Sequence, residues 1–274
     1  MRRIVILLHE NDVEAERYDY IAWALRDIWR EPGHEVVAVR GLDAIPDADV
    51  LLPHLDLTVV PDAYARVLAA HPRALNRGVR DVSKSAISTR LVRPGDGYDG
   101  PVIVKTDRNH GGNPDRRLLG PGGWRQRAAR ALRRHVVRMP ANAYPIFESP
   151  REVPRAMLRN PALVVERFVP EVDDGLYCSR VYTFCGERHV CSIRRSPRPI
   201  VKSDPHAARE ETPVHEEIVD LRRRLGFDYG KFDFVVHAGT PVLLDANPTP
   251  SFASTRLSPA ERKRAELLAD GLAL

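Results

Sequence analysis

Residues 231–248, KFDFVVHAGTPVLLDANP, decide how the chain reads. Two runs rich in β-formers flank Ala238-Gly239-Thr240, the pattern of a hairpin with glycine in the left-handed position. With those three residues as the loop, His237 faces Pro241, Val235 faces Leu243 and Asp233 faces Asp245. Two carboxylates then stand directly across from each other, which costs stability unless something positive lies between them. Asn247 continues the same face at the two-residue period. A hard cation accounts for the set, since Mg²⁺ takes oxygen ligands and keeps substrate phosphates in its shell. The other face, Phe232, Phe234, Val236, Val242 and Leu244, is apolar and predicts a core side. A two-residue loop would send the acids to opposite faces, so the metal reading depends on the turn.

Outward from the hairpin, the next informative residues are lysines. Lys and Arg together number 42, and only five are lysine: Lys84, Lys105, Lys202, Lys231 and Lys263. A chain that uses Arg for nearly every surface cation marks each Lys, whose compact ammonium approaches a phosphate where a planar guanidinium does not fit. Lys105 closes the apolar run PVIVK, and His110-Gly111-Gly112-Asn113 follows. A strand-borne Lys beside a glycine-bearing loop can grip phosphates through its ammonium and through backbone N–H groups.

The first 75 residues read strand, helix, strand, strand, helix: RIVILL at 3–8, a helix over 14–30 stopped by Pro32-Gly33, HEVVAVRG, ADVLLPHLD, and PDAYARVLAAHP with Pro61 near its first turn. This predicts an α/β chain with a small Rossmann-like lobe. No GxGxxG follows the first strand, where His9-Glu10-Asn11-Asp12 stands instead, so the dinucleotide fingerprint is absent. Gly226 to Lys231 is no P-loop, having three residues between its glycines and Phe where Ser or Thr should follow the Lys. Further strands are predicted at 101–105, 162–169, 177–185 and 187–194. A strongly basic helix is predicted over 124–139, a loop over 196–213 and a helix over 213–225.

Composition excludes several classes. Hydrophobic residues are 43% and charged ones 29% of the 274, the profile of a folded globular protein. No stretch approaches the roughly 18–20 apolar residues of a membrane span. The apolar run after Met1 is too short for a signal-peptide core, so a cytoplasmic protein is expected. Net charge is +5, but the basic residues are scattered and aromatics are 7%, so a polyanionic small molecule fits at least as well as nucleic acid, which is not the expected partner. Cys178, Cys185 and Cys191 match no zinc knuckle and are expected as buried thiols.

Taken in order, these pieces resemble the ATP-grasp superfamily, within it the branch of glutathione synthetase and the ribosomal-protein glutamate ligases. The resemblance spans roughly residues 76–250. It runs through Lys84 in DVSKSAIS, Lys105 in PVIVK, Glu166 in LVVERFV, Arg180 in SRVYTFCG, Lys202-Ser203-Asp204, Asp233, and Asp245-Ala246-Asn247-Pro248. It implies a Rossmann-like lobe at 1–80 and a two-lobed ATP-grasp module at 81–274, with a small lobe at about 88–165 and a large catalytic lobe at 166–274. It implies that Lys84, Lys105, Gly111 and Gly112 contact ATP phosphates. Glu166 and Arg167 would lie at the hinge that meets adenine, and Glu171 would take the ribose hydroxyls. Arg180 and Lys202 would face the γ-phosphate and the acyl group, and Lys231 would help neutralise the tetrahedral intermediate. Asp233, Asp245 and Asn247 would hold Mg²⁺, with Mn²⁺ as an admissible substitute. The family's second metal ligand is usually Glu where this chain has Asp245, and Cys178 and Ser179 stand where the branch often has a carboxylate.

The implied activity is ligation of a carboxylate to an amine, on a small molecule or a peptide, through an acyl phosphate with release of ADP and phosphate. Two alternatives use the same residues: a kinase-like phosphotransferase, and a non-catalytic ATP-binding regulator.

Overall fold

The computed structural model describes residues 1–17, 19–93, 95–120, 144–201, 208–252 and 257–272. The predicted basic helix at 124–139 and Lys202 lie outside the described residues.

The chain opens with β1 (Arg3–Leu8), α1 (Ile21–Arg30), β2 (Glu35–Arg40), β3 (Val50–His54) and α2 (Asp62–Ala70). The strands form a parallel sheet in the order β2-β1-β3, with Ile4 opposite both Val36 and Val50. β1 is buried from Ile4 to Leu8, as a parallel strand covered on both faces should be. Ile4, Ile6 and Leu8 pack with α1, and Val5 and Leu7 with α2. The helix predicted from residue 14 starts only at Ile21. Ala15–Arg17 form a 3₁₀ turn, held where the Trp23 indole donates to the Ala15 carbonyl at 3.0 Å.

A short helix, α3 (Lys84–Ile87), leads to β4 (Val102–Thr106), α4 (Asn113–Leu118), β5 (Ile146–Phe147), α5 (Arg155–Leu158) and β6 (Leu163–Arg167). β5-β4-β6 make a small antiparallel sheet in which Ile103 pairs with Glu166 and Lys105 with Val164.

The largest sheet contains β7 (Glu171–Asp173), β8 (Leu176–Cys185), β9 (Arg188–Ser196), β10 (Ala208–Glu211), β11 (Tyr229–His237) and β12 (Thr240–Asn247). Its order is β10-β9-β8-β11-β12, with β7 on β8, all antiparallel. β10 lies inside the segment expected to be a loop. Helix α6 (Glu216–Arg224) precedes β11, and α7 (Pro259–Ala269) follows the sheet. One sheet face is an aromatic core: Tyr182, Phe184, Phe227, Phe232 and Phe234 pack largely edge to face, with Ile218 of α6 among them. On the other face Cys185 and Tyr229 pack with Leu268 of α7 and with the first sheet's core. The backbones there nearly touch: a Cβ on Gly271 would lie 1.8 Å from the Cys185 carbonyl oxygen. Cys178, Cys185 and Cys191 are free, buried thiols, as expected.

The hairpin differs from its expected form in an instructive way. Its loop has two residues, Ala238 and Gly239, both at positive φ, so His237 pairs with Thr240 and Val235 with Val242. That register alone would put Asp245 opposite Phe232, on the core face. A bulge at Leu244 corrects it: Phe234 pairs with Leu243, and the next pair is Asp233 with Asp245. The acids therefore face each other through a shorter turn plus a bulge. The bulge also exchanges the leucines, since Leu243 joins the aromatic core while Leu244 lies beside the acids.

Candidate active site

Between the second and third sheets lies a cavity of about 1000 Å³, open mouth included. Its floor is the non-aromatic face of the large sheet, with Ser179, Val181, Lys231, Asp233, Val235, Leu244 and Asp245. Its roof carries Lys84, Arg90, Ile103 and Lys105, and Phe168, Val169 and Pro170 line the stretch between the sheets. The mixture of apolar walls and a few convergent charges is that of a small-molecule site.

Charge in the cavity is arranged in two clusters. At the floor, Lys84 donates to Asp245 at 3.1 Å and Lys231 lies 3.5 Å from Asp233. Burial alone would lower the Lys84 pKa, but the facing Asp245 carboxylate outweighs it and holds the pKa above its usual value. At the roof, Glu166 is fully buried, 2.8 Å from the Lys105 ammonium and 3.4 Å from the Arg90 guanidinium. Burial opposes its charge, yet Lys105 and Arg90 hold its pKa below the usual carboxylate range. Lys105 is pulled downward, first by burial and then by Arg90 and Lys84, against the attraction of Glu166. Lys84, Arg90, Lys105 and Lys231 thus outnumber the three carboxylates beside them, and an anionic ligand would redress the balance.

The acids fit a divalent cation. Two carboxylates from adjacent strands face each other at the end of a cavity lined by ammonium groups. Among the described residues no cluster of three or more His, Cys, Asp or Glu exists. Mg²⁺ suits such a sparse set, because it binds through one or two carboxylates and takes its remaining ligands from phosphates and water. Asn247 shares the face of Asp245, but its side-chain oxygen accepts from the Thr249 N–H at 2.8 Å. The Thr249 hydroxyl lies 3.2 Å from that oxygen and 3.1 Å from Asp56. Asp56 in turn accepts from Tyr20 and Arg117, and Arg117 pairs at 3.1 Å with the fully buried Asp12. A polar chain so joins the acidic edge to the first sheet. Beside it His54 is fully buried, edge-on to Tyr20, and burial pushes its pKa down to about 4.

Several expected site residues stand elsewhere. Arg180 pairs across β11 with Phe234, on the aromatic face of the sheet and away from Asp233. Its guanidinium grips Glu171 through contacts of 2.7 and 3.0 Å, and Glu171 also accepts from the Val236 N–H at 2.7 Å. That ion pair ties β7 to β8, and neither residue lines the cavity; strand parity places them on the wrong side. Arg167 points outward, its guanidinium 4.8 Å from the Tyr98 ring centre, and the Glu166 carboxylate serves Lys105 and Arg90. Gly111 and Gly112 are not in the cavity wall. With His110 they form three consecutive residues at positive φ, in a loop whose Asn109 donates to the Ala246 carbonyl beside Asp245.

The cation that sequence reasoning missed is Arg194. It pairs across β9 with Ser179 and lines the cavity on the Asp233 side, where Arg180 was expected. Counting alternate residues from Ser179 along the β8–β9 pair would have found it. Arg90, second counter-ion of Glu166, was also missed, because it sits in an irregular stretch without periodicity.

The architecture can now be compared with known proteins. No protein-family model matches the sequence. No curated protein matches it significantly either. Solved structures do match in shape. An ATP-grasp RimK domain protein from Sphaerobacter thermophilus aligns over 97% of this chain and 98% of its own, with a TM-score of 0.50 at 15% identity. The fold is that of the ATP-grasp proteins. The macrocyclase MdnC of Microcystis aeruginosa, solved with its precursor peptide MdnA, aligns over 99% of both chains, with a TM-score of 0.51 at 10% identity. The lysines and facing acids described above line the cavity between the second and third sheets of that fold. No helix among the described residues is long and apolar enough to cross a membrane.

Proposed function

We propose that this chain is an ATP- and Mg²⁺-dependent ligase that joins a carboxylate to an amine and releases ADP and phosphate. The observation that carries the reading is the facing pair Asp233–Asp245 at the end of a cavity lined by Lys84, Lys105 and Lys231. In this reading residues 1–80 form the Rossmann-like lobe, supported by the parallel sheet, and the rest forms the ATP-grasp module.

Phe168, Val169 and Val235 offer the apolar surface for the base, and Lys84 and Lys105 bind the phosphates. Asp233, Asp245 and Asn247 would hold Mg²⁺, which would supply neutralisation of phosphate charge. Phosphate oxygens favour the charged form of Lys105, which burial disfavours. A substrate carboxylate oxygen attacks the γ-phosphorus, and the bond from that phosphorus to the ADP oxygen breaks. The amine nitrogen then attacks the acyl carbon, phosphate leaves, and the nitrogen sheds its proton to solvent. Lys231 and Arg194 line the cavity, and in this reading their charges offset the negative charge that develops in both steps. The protein contributes position and electrostatics and needs no covalent intermediate of its own.

The shape match to a macrocyclase bound with a precursor peptide supports a peptide among the candidate substrates. The test is a screen of amino acids and peptides for ADP release, with products resolved by ion-pair chromatography and mass spectrometry. ADP and phosphate formed only when both a carboxylate and an amine are present support the ligase. AMP and pyrophosphate would overturn the acyl-phosphate step, and ADP release without an amine would favour the phosphotransferase.

A further inference from the structure

The cavity face of the large sheet continues past Arg194 to the sheet's outer edge, where arginines outnumber the acids beside them. Arg209 on β10 pairs directly with Arg194 on β9. Like charges at directly opposed positions of an antiparallel pair repel. Nothing in the ladder requires them, because β10 is four residues long. Arg209 donates through Nε to the Ser192 hydroxyl at 3.0 Å, so its fork is anchored on the same face. Arg264 of α7 approaches from above. Arg209 keeps contact with solvent; partial desolvation of its guanidinium, and then the charges of Arg264 and Arg194, lower its pKa. Two acids temper the group: Glu211 lies 3.4 Å from Arg264, and Glu261 acts on Arg209 at longer range. Arg195, the next residue along β9, is satisfied on the other face by Asp173 and Glu210. Three guanidinium groups against two glutamates leave a surplus of positive charge.

The row lies beside the acids rather than among the phosphate lysines. Arg194 and Arg209 stand level with Val235, two residues along from Asp233; with strands about 4.8 Å apart and about 3.4 Å per residue, the Cα of Arg194 is about 12 Å from that of Asp233 and the Cα of Arg209 about 16 Å. Arginine side chains reach back over part of that distance. The lysines gather at the nucleotide end, whereas this edge is built from planar forks, which match a carboxylate through two parallel hydrogen bonds.

We infer that Arg209 and Arg264, beside Arg194, form a second anion subsite that anchors a non-reacting carboxylate of the acid substrate. The substrate class is then an acid with two carboxylates: a dicarboxylic acid, or a peptide that presents one carboxylate for activation and another for anchorage. The inference rests on the ligase reading, since it takes the Asp233–Asp245 end as the place of the reacting carboxylate.

Calorimetry with glutarate as probe tests it, on the full chain with saturating ADP and Mg²⁺. Glutarate binds the wild-type protein, and Arg209→Gln and Arg264→Gln each weaken it at least tenfold while changing ADP affinity less than twofold. Arg264→Lys, which keeps charge and loses the fork, gives an intermediate loss; circular-dichroism melts establish that the variants are folded. Failure of glutarate to bind, or unchanged affinity in folded variants, overturns the inference. Loss of ADP affinity in step with glutarate also overturns it, by assigning the arginines to the nucleotide, and tighter binding of inorganic phosphate than of glutarate would make the group a phosphoryl site. If ADP itself does not bind, the ligase reading falls separately, because glutarate can be titrated without nucleotide.

Discussion

Replacing Glu166 by Gln keeps the side chain's shape and removes the one negative charge between Lys105 and Arg90. The carboxylate is fully buried, 2.8 Å from the Lys105 ammonium and 3.4 Å from Arg90. Arg90 keeps other partners, since it donates at 3.1 Å to both the Arg167 and the Leu243 carbonyls. Lys105 is left as a buried cation without its counter-ion. Removing one member of a buried pair costs about 3–5 kcal/mol. Lys105 can escape part of that cost by losing its proton, because burial already pulls its pKa down. The sign follows from linkage: between the folded and unfolded pKa values the unfolded chain binds more protons, so the variant gains stability as pH rises. Urea unfolding should therefore show a deficit of about 3–5 kcal/mol at pH 7 that shrinks at pH 9. Saturating ATP with Mg²⁺ should narrow it too, because phosphate oxygens replace the lost charge. A deficit below about 1 kcal/mol at pH 7, the scale of an exposed pair, would refute the argument. So would a deficit that does not change with pH.

His54 should make the wild-type fold sensitive to mild acid. Its folded pKa of about 4 lies below the unfolded value near 6.5, so its contribution is complete above about pH 6.5 and is lost as pH falls toward 4, worth about 3 kcal/mol. His54→Phe should flatten stability over that interval, and an equally steep fall in the variant's urea midpoints would count against it. Gly271→Ala should cost about 1–3 kcal/mol, because the new Cβ would lie 1.8 Å from the Cys185 carbonyl oxygen and the end of α7 must move. A thermal midpoint within a degree of wild type would contradict that packing. Asp233→Asn should leave the melting midpoint within a few degrees of wild type while abolishing Mg²⁺-dependent ADP release; retained turnover in the folded variant would remove Asp233 from the metal.

What was legible in the sequence was what repeats locally. The strands announced themselves because buried runs such as RIVILL and LVVERFV have few other places to go. Lys84, Lys105, Lys231, Asp233 and Asp245 could be singled out because residue type and spacing carried the signal. What failed was parity. A single residue of bulge or loop length reverses a strand's faces, and nothing in VVHAGTPVLLDAN states whether the turn has two residues or three. Two errors cancelled at Asp245, where the shorter loop was offset by the bulge at Leu244. No such cancellation rescued Arg180, which lies on the aromatic face with Glu171, and Arg194 holds the place it was expected to fill. The Glu166–Lys105–Arg90 cluster and the chain from Asn247 to Asp12 were invisible for another reason: their members are as much as 76 and 235 residues apart. Only the packing of three sheets brings them together.

The central claim is that the Asp233–Asp245 pair and the lysine-lined cavity bind ATP together with a divalent cation. Calorimetric titration of ATP tests it most directly, with Mg²⁺ present and with the metal chelated, in the wild-type protein and in Asp233→Asn. The account predicts one nucleotide site per chain, at least tenfold tighter with Mg²⁺ than without, and loss of that metal dependence in the variant. Binding that ignores both the metal and Asp233, or no ATP binding at all, would contradict it.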